Sequence, residues 1–413
     1  MVRRQRERPV HEGIHMGVLA AIAGCFVLWG LVSARLPGWN VSAPMAFVAA
    51  GMVLAAGSDP VLHISMGSGA VLQLTELALA VVLFGDAATV SMRWLRDDAA
   101  LPGRLLLVGL PLTMALGTVG AHLLLPGLSW WVAAVIGVAV APTDAALGAA
   151  IMEDERVPVR VRRVLNVESG LNDGIATPFV SFFLVAAVAG TALGNGSRGQ
   201  ALLELGLGLV VGAAVGAAGC LGLVAALRRG LAEPGFVPTA TAAIGLLAYA
   251  GTVGLGGNGF VAAFVAGLAH RAVRSRALPD GALHLTHQGG QVLSLVVWFL
   301  FGALVLDPLG AATWREVAFA LVALTVVRMV PVALSLLGSG LDRATVAVVG
   351  WFGPRGLASV VFALLAVDAL DEPTGSRVLA VIGCTVLFSV VLHGVSAAPI
   401  AGRFGASHPD PGP

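Results

Sequence analysis

The stretch at 168–174, Glu-Ser-Gly-Leu-Asn-Asp-Gly, places two carboxylates and two neutral polar side chains inside a long apolar segment. On a helix, Glu168 lies one turn from Asn172, and Ser169 lies one turn from Asp173. Two neighbouring faces therefore each carry one carboxylate and one neutral oxygen. An ionisable group in apolar surroundings is costly unless it is paired, protonated or hydrated, so the stretch indicates a functional site. Carboxylate, hydroxyl and amide oxygens suit a hard monovalent cation and, equally, a proton.

Two other apolar segments are interrupted, by Pro-Thr-Asp at 142–144 and by Gly-Pro-Arg-Gly at 353–356. Proline removes a backbone donor and glycine loosens the turn, so both helices should break near mid-depth. A broken helix exposes dipole ends inside the protein, and Asp144 and Arg355 carry the charges needed to compensate them. Prolines that merely kink packing helices are the alternative, which leaves the adjacent charges unexplained.

The composition predicts the class of protein that holds these segments. The 413 residues are 57% hydrophobic and only 11% charged, whereas soluble domains carry roughly 25% charged residues. We therefore expect an all-α polytopic membrane protein, surrounded by lipid. The net charge of +1 gives no reason to expect nucleic acid as a partner. The three cysteines lie far apart in apolar segments, which is typical of small hydrophobic residues rather than of a disulfide or metal framework, and no cofactor is predicted.

Hydropathy divides the chain into about thirteen membrane spans. Their approximate ranges are 14–33, 38–57, 69–91, 102–125, 129–152, 162–190, 200–227, 236–255, 258–270, 288–306, 312–337, 342–368 and 377–400, each about the length that a membrane helix needs. The interrupted spans are the fifth and the twelfth, seven spans apart. They occupy corresponding positions if spans 1–6 and 8–13 are repeats. Paired interrupted segments in two halves are typical of the binding site of an inverted-repeat transporter.

The arginines predict the orientation. If the N-terminus lies outside, the cytoplasmic loops hold fifteen arginines and the opposite side holds seven, of which four belong to the N-terminal tail. The tail contradicts the loops under the positive-inside rule. The loops are more numerous, so we expect the N-terminus outside and the C-terminus in the cytoplasm.

These motifs resemble the monovalent cation:proton antiporter superfamily, specifically the NhaP-type bacterial sodium/proton antiporters and the sodium/hydrogen exchangers. The stretch 168–174 is similar to the family's sixth-helix signature, 142–144 to its fifth-helix signature, and 353–356 to its late Gly-x-Arg-Gly element. Weaker matches lie at 83–86, 258–260 and 264–267. The sequence departs from the family at Ala145, where many members have proline.

The resemblance implies an NhaA/NhaP-like fold with inverted six-helix repeats and two crossing interrupted helices, in a homodimer of the bacterial inner membrane that serves pH homeostasis. A core that moves against a scaffold is expected. The implied division is a polar tail at 1–13, scaffold at 14–100, core at 101–190, a linker helix and scaffold at 191–306, core at 307–402, and a short tail at 403–413.

The resemblance also implies roles for single residues. Asp173 would bind the cation and exchange the proton, and Asp144, Thr143 and Ser169 would contribute to the cation site. Glu168 would pair with a buried arginine, with Asn172 bridging. That arginine could be Arg328 or Arg355, and its position in the eleventh span favours Arg328. Glu76 and Asp86 are possible accessory acids.

The expected activity is secondary antiport rather than enzymatic catalysis. If the empty anionic site cannot cross the membrane, competition of one cation and one proton for Asp173 gives electroneutral exchange. Na⁺ is the first candidate, and Li⁺ and K⁺ fit the same oxygens. A passive cation channel needs the same polar groups at mid-depth and stays open as an alternative. An intramembrane aspartyl protease built on Asp144 and Asp173 is a second alternative, which gives Ser169, Arg328 and Arg355 no role.

Overall fold

The structure, a computed structural model, describes residues 16–36, 41–57, 69–90, 100–190, 195–274 and 278–407. The predicted tail at 1–13 and the end of the predicted tail at 403–413 lie outside these residues. The described chain is helical and contains no strand. Its helices are α1 Met16–Val32, α2 Ala43–Ala55, α3 Gly69–Thr89, α4 Ala100–Leu124, α5 Trp130–Ala139, α6 Ala145–Met152, α7 Val159–Val188, α8 Asn195–Arg228, α9 Val237–Gly254, α10 Gly259–Val273, α11 His284–Gly310, α12 Trp314–Leu324, α13 Val326–Ser335, α14 Arg343–Trp351, α15 Leu357–Ala369 and α16 Thr374–Ser407.

Within these residues, eight helical segments are long and apolar enough to cross a membrane, and five apolar helices are shorter. The all-α membrane class is therefore confirmed, while the count of thirteen spans stays a prediction. The protein exposes many large apolar side chains, including Leu107, Leu123 and Leu202 at 70% or more. Such a surface suits lipid rather than water.

Both interrupted spans are confirmed as broken helices. The predicted fifth span consists of α5 and α6, which are separated by residues 140–144, and the predicted twelfth span consists of α14 and α15, separated by residues 352–356. The two breaks meet, because the amide of Asp144 donates to the carbonyl of Pro354 at 2.8 Å. Residues far apart in sequence thus form one crossing in the protein interior.

The helices pack in two groups. The first, called the scaffold group, contains α2, α3 and α8–α11, and the second, called the core group, contains α4–α7 and α12–α16. Within the scaffold group, α8 and α10 are in very close contact, because a Cβ at Gly212 or Gly216 would overlap the backbone of Ala262 or Ala266. Small residues allow such an approach between membrane helices. Helix α7 belongs to the core group and also touches α3, α8 and α10.

Candidate ion-binding site

Asp144 holds together the starts of two half-helices. Its Oδ1 accepts from the amides of Ala146 at 2.7 Å and Leu147 at 3.1 Å, in the first turn of α6. Its Oδ2 accepts from the amide of Leu357 at 2.9 Å, the first residue of α15. A carboxylate at this place satisfies amides that have no partner within their helices and neutralises the positive ends of two helix dipoles. Both oxygens of Asp144 are therefore used by the fold.

Arg355 lies at the C-terminal ends of two neighbouring helices. Its Nη1 donates to the carbonyls of Ala141 and Pro142, directly after α5, and its Nη2 donates to the carbonyl of Ala323 at 3.4 Å, near the end of α12. The side chain is completely buried. A guanidinium placed against free carbonyls compensates the negative ends of these helices. The expected charge compensation at the breaks is thus present for both signs.

Glu168 pairs with Arg328. The guanidinium donates from Nη1 to Oε1 at 2.5 Å and from Nη2 to Oε2 at 2.9 Å, and both side chains are 2% exposed. Nη2 also lies 3.4 Å from the carbonyl of Val349 near the end of α14. Of the two arginines that the sequence analysis offered as partners of Glu168, Arg328 is the one that pairs with it in the structure. Because both carboxylate oxygens are engaged by a cation, Glu168 is not free to bind another.

Asn172 does not bridge this pair, which corrects the expectation from the resemblance. Its Nδ2 donates to Thr143 Oγ1 at 2.6 Å, and Thr143 Oγ1 lies 3.0 Å from Ser169 Oγ. The reason is geometric, because Asn172 lies one helical turn beyond Glu168 and reaches the break between α5 and α6 instead. Its Oδ1 is buried without a hydrogen-bond partner among the described residues. An orphaned buried oxygen costs about 1–3 kcal/mol, which favours a water or cation beside it.

Asp173 differs from the other acids of the group. Within the described ranges its carboxylate has neither a hydrogen bond nor an ion pair, and the residue is 9% exposed, whereas Thr143, Ser169 and Asn172 are at most 3% exposed. Two further carboxylates, Asp144 and Asp86, lie near enough to repel a negative charge on it. A carboxylate in acidic surroundings without a basic partner needs a proton or a bound cation to become neutral.

Of the two possible accessory acids, Glu76 and Asp86, only Asp86 lies close to Asp173. Half-buried on α3, it has its Cβ 3.8 Å from the position that a Cβ on Gly170 would take, one turn before Asp173. Glu76 lies ten residues earlier on α3, about 15 Å away along the axis, and accepts a hydrogen bond from the hydroxyl of Tyr249 at 2.9 Å. The structure does not bring Glu76 to Asp173.

An accessible stripe on α7 leads to Asp173 from the arginine-bearing end of the helix. Arg163 and Asn166 are exposed, Gly170 is half-buried, and the stripe ends at Asp173. These positions follow one another at three- and four-residue intervals, so they share one helical face. Directly beyond Asp173 this face of the helix is covered, because a Cβ at Gly174 would overlap the ring of Phe264 on α10 and Thr177 is 1% exposed.

Sequence reasoning missed the side chains that hold the second break. The amide of Arg355 donates to Ser389 Oγ at 2.6 Å, Ser389 Oγ lies 3.1 Å from Nδ1 of His393, and Nε2 of His393 lies 2.8 Å from the carbonyl of Trp351. Ser359 Oγ donates to the carbonyl of Ala139 at 2.7 Å, at the end of α5. The i,i+4 spacing of Ser389 and His393 in an apolar span is the signal that could have identified them.

Comparisons with known proteins match most of the chain. Residues 22–403 match the family described as "Sodium/hydrogen exchanger, transmembrane". The K⁺/H⁺ antiporter NhaP of Alkalimonas amylolytica is 28% identical over 399 residues, which cover 94% of this chain and 67% of that protein. A Na⁺/H⁺ antiporter of Schizosaccharomyces pombe is 25% identical over 375 residues, covering 82% of this chain and 79% of that protein.

Among solved structures, the sodium proton antiporter MjNhaP1 from Methanocaldococcus jannaschii at pH 8 superposes with a TM-score of 0.76 at 19% identity, covering 94% of this chain and 99% of that one. An electron-microscopy map of the same antiporter gives a TM-score of 0.73. At this identity the likeness establishes the fold, which is the antiporter fold that the resemblance implied.

Proposed function

Because this chain belongs to the sodium/hydrogen exchanger family, a family of secondary transporters rather than enzymes, we propose that it exchanges one monovalent cation for one proton at Asp173. The observation that carries the assignment is the contrast between three buried acids. Both oxygens of Glu168 bind Arg328 and both oxygens of Asp144 bind backbone amides, whereas Asp173, at the end of an accessible stripe, is the one of these three that lacks a partner among the described residues. We therefore assign the exchange to a single carboxylate, that of Asp173.

The exchange follows from charge alone. A cation that reaches Asp173 neutralises it, and so does a proton, but the single carboxylate does not hold both. The core group moves only when the site is neutral, because an unpaired charge resists transfer across an apolar barrier. Each crossing with a cation in one direction is then balanced by a crossing with a proton in the other. This scheme makes the exchange electroneutral.

The oxygens that complete the cation site come from the first break and from α7. Thr143 Oγ1 and Ser169 Oγ lie 3.0 Å apart, and the orphaned Oδ1 of Asn172 belongs to the same cluster. Neutral oxygens of this kind are ligands of hard cations. Asp144 contributes its charge rather than a free oxygen. Since one curated relative is named for K⁺ and the other for Na⁺, we retain Na⁺ as the first candidate, with Li⁺ and K⁺ as alternatives.

The proposal also covers assembly, membrane orientation, conformation and movement. The protein is a homodimer in a bacterial inner membrane, with its N-terminus outside and its C-terminus in the cytoplasm, as the loop arginines favour. In that orientation the arginine-bearing end of α7 faces the cytoplasm. The accessible stripe then makes this conformation inward-open. The predicted scaffold segments 14–100 and 191–306 stay fixed while the predicted core segments 101–190 and 307–402 move.

Proteoliposomes with purified protein test the function. An outward cation gradient should drive proton uptake, an imposed proton gradient should drive cation movement uphill, and neither rate should depend on a potential clamped with K⁺ and valinomycin when Na⁺ is the substrate. Cation flux that only follows its own gradient would identify a channel instead. Voltage-dependent exchange would retain antiport and reject the stoichiometry of one to one.

A further inference from the structure

Among the residues that the structure describes, one hydrogen bond joins the outer half of α7, beyond Asp173, to the scaffold group. Nδ2 of Asn258, the residue before α10, donates to Ser181 Oγ at 2.8 Å. No other hydrogen bond connects the core group with the scaffold group in the part of the chain that the structure describes. Two bodies that must slide past each other are thus held here by a contact that is easily broken and re-formed.

This hydrogen bond lies in a crevice between the two groups. The cavity has a volume of about 60 Å³, room for several water molecules, and its polar lining comes from Ser181, Glu204 and Asn258. Pro178 and Phe182 of α7 and apolar residues of α8 form the remaining walls. The acid comes from the scaffold and the hydroxyl from the core, so the crevice widens if the groups separate.

A polar stripe runs from Asp173 to this crevice. Thr177 and Ser181 follow Asp173 by four and eight residues, which places Ser181 about 12 Å further along the same face of the helix. Thr177 Oγ1 donates to the carbonyl of Asp173 at 2.7 Å, and Ser181 Oγ donates to the carbonyl of Thr177 at 3.2 Å. Thr177 is 1% exposed. The stripe is therefore closed in this conformation but continuous with the site.

Glu204 places a negative charge at the end of the stripe. Its Oε1 accepts from Gln200 Nε2 at 3.0 Å, and within the described chain no basic side chain pairs with it. Its backbone carbonyl accepts from the amide of Asn258 at 2.9 Å, so α8 and the start of α10 hold the crevice wall together. An unpaired carboxylate at the mouth of a cleft raises the local concentration of cations.

We propose that this crevice is the outer mouth of the ion pathway. Monovalent cations pass between Asp173 and the outside along Thr177 and Ser181, Glu204 concentrates them at the mouth, and the bond between Asn258 and Ser181 holds the mouth shut in the conformation seen here. This inference rests on the proposed antiport. It assigns a second cation-attracting position that acts on one face of the membrane only.

The first test is the sidedness of cation affinity, measured in right-side-out and inside-out vesicles. Glu204→Gln should raise the half-saturating cation concentration at the outer face by about threefold to tenfold, since the cleft loses its field, and leave the inner face unchanged. The effect should shrink in N-methylglucamine chloride at high ionic strength because salt screens the charge. The control is Glu233→Gln, in the exposed loop at the other end of α8. Unaltered outer affinity in Glu204→Gln would overturn the proposal.

The second test is access to Thr177, using Thr177→Cys in a protein whose three native cysteines are replaced by alanine. Ser181→Ala removes the bond across the crevice but leaves Asn258 Oδ1 to cap α10 through the amide of Val261 at 3.0 Å. An impermeant thiol reagent outside should label Cys at 177 about fivefold faster in this variant, as expected for the loss of one hydrogen bond.

The control for labelling is Ser335→Ala, whose hydroxyl donates to the carbonyl of Val332 in its own helix at 2.9 Å, and which should leave the rate unchanged. Labelling from the inner face alone, or an unchanged rate in Ser181→Ala, would overturn the gate. If Thr177→Cys does not fold, the affinity measurement on Glu204→Gln decides. Absence of exchange in the unmodified protein would reject the antiport itself, whereas normal exchange with both tests negative rejects only the outer mouth.

Discussion

Asp144 and Arg355 stabilise one helix crossing, Asp144 at the helix N-termini and Arg355 at the helix C-termini. The carboxylate of Asp144 accepts from amides that begin α6 and α15, while the guanidinium of Arg355 donates to carbonyls that follow α5. The fold therefore neutralises its own broken helices without help from a bound ion. Whatever charge the transported ion compensates must be elsewhere, and of the three acids Asp144, Glu168 and Asp173 only Asp173 lacks a partner among the described residues.

Asp173→Asn should reduce cation:proton exchange to background, because a neutral amide neither takes up a proton near neutral pH nor neutralises a cation. The thermal midpoint in detergent should stay unchanged or rise, since no ion pair is lost and an unpaired charge is removed from apolar surroundings. Exchange in reconstituted vesicles and unfolding in detergent measure the two effects. The matched control is Asp368→Asn at the exposed end of α15, which should retain exchange. Exchange that survives in Asp173→Asn would remove this residue from its role.

Asp144→Asn should have the opposite effect on stability. An asparagine oxygen can still cap α6, but its amide group would then face the amide of Leu357, which leaves a donor against a donor. We expect the free energy of unfolding to fall by about 1–3 kcal/mol. Chemical denaturation in detergent, compared directly with Asp173→Asn, gives the measurement. Equal stability of the two variants would contradict the capping role of Asp144.

Much of this arrangement could be predicted from the sequence, because its signals are local. A proline within two residues of a charged side chain located both breaks, and carboxylates within an apolar span located α7. The position of Arg328 in its span favoured it as the partner of Glu168. What could not be predicted depends on distances between remote segments. The contact of Asp144 with Leu357 spans 213 residues, and no periodicity encodes it.

The same limit explains the error at Asn172. Its spacing from Glu168 indicates a shared helical face, but spacing does not say which neighbour on another helix is nearer. Thr143 approaches within 2.6 Å because the break after α5 opens toward α7. Glu76 was a candidate on similar grounds, and a tyrosine of α9 engages it instead. Motifs identify residue types, and packing decides which of them meet.

Glu168→Leu should destabilise the protein by about 3–5 kcal/mol, because it leaves the guanidinium of Arg328 buried without its counter-ion. Arg328→Met should also destabilise, through the orphaned carboxylate. The double variant Glu168→Leu with Arg328→Met removes both charges. Its free energy of unfolding should be closer to that of the unmodified protein than the value of either single variant is. Denaturation of all four proteins in one detergent gives the coupling. Additive losses in the double variant would contradict the pairing.

Gly356→Ala tests the crowding at the crossing. A Cβ at this position would overlap the side chain of Asp144, so the carboxylate must move away from the amide of Leu357 that it binds. Overpacking of this kind costs about 1–3 kcal/mol, and because Asp144 is displaced, the exchange rate should fall as well. The control is Gly222→Ala in the last two turns of α8, where a Cβ meets nothing within 4 Å and where alanine should gain about 0.5–1 kcal/mol of helix propensity. Both variants are compared by thermal unfolding in detergent and by exchange in proteoliposomes. If Gly356→Ala behaves like Gly222→Ala in both measurements, the close contact between the two breaks is not needed for transport, and the crossing does not hold Asp144 in place.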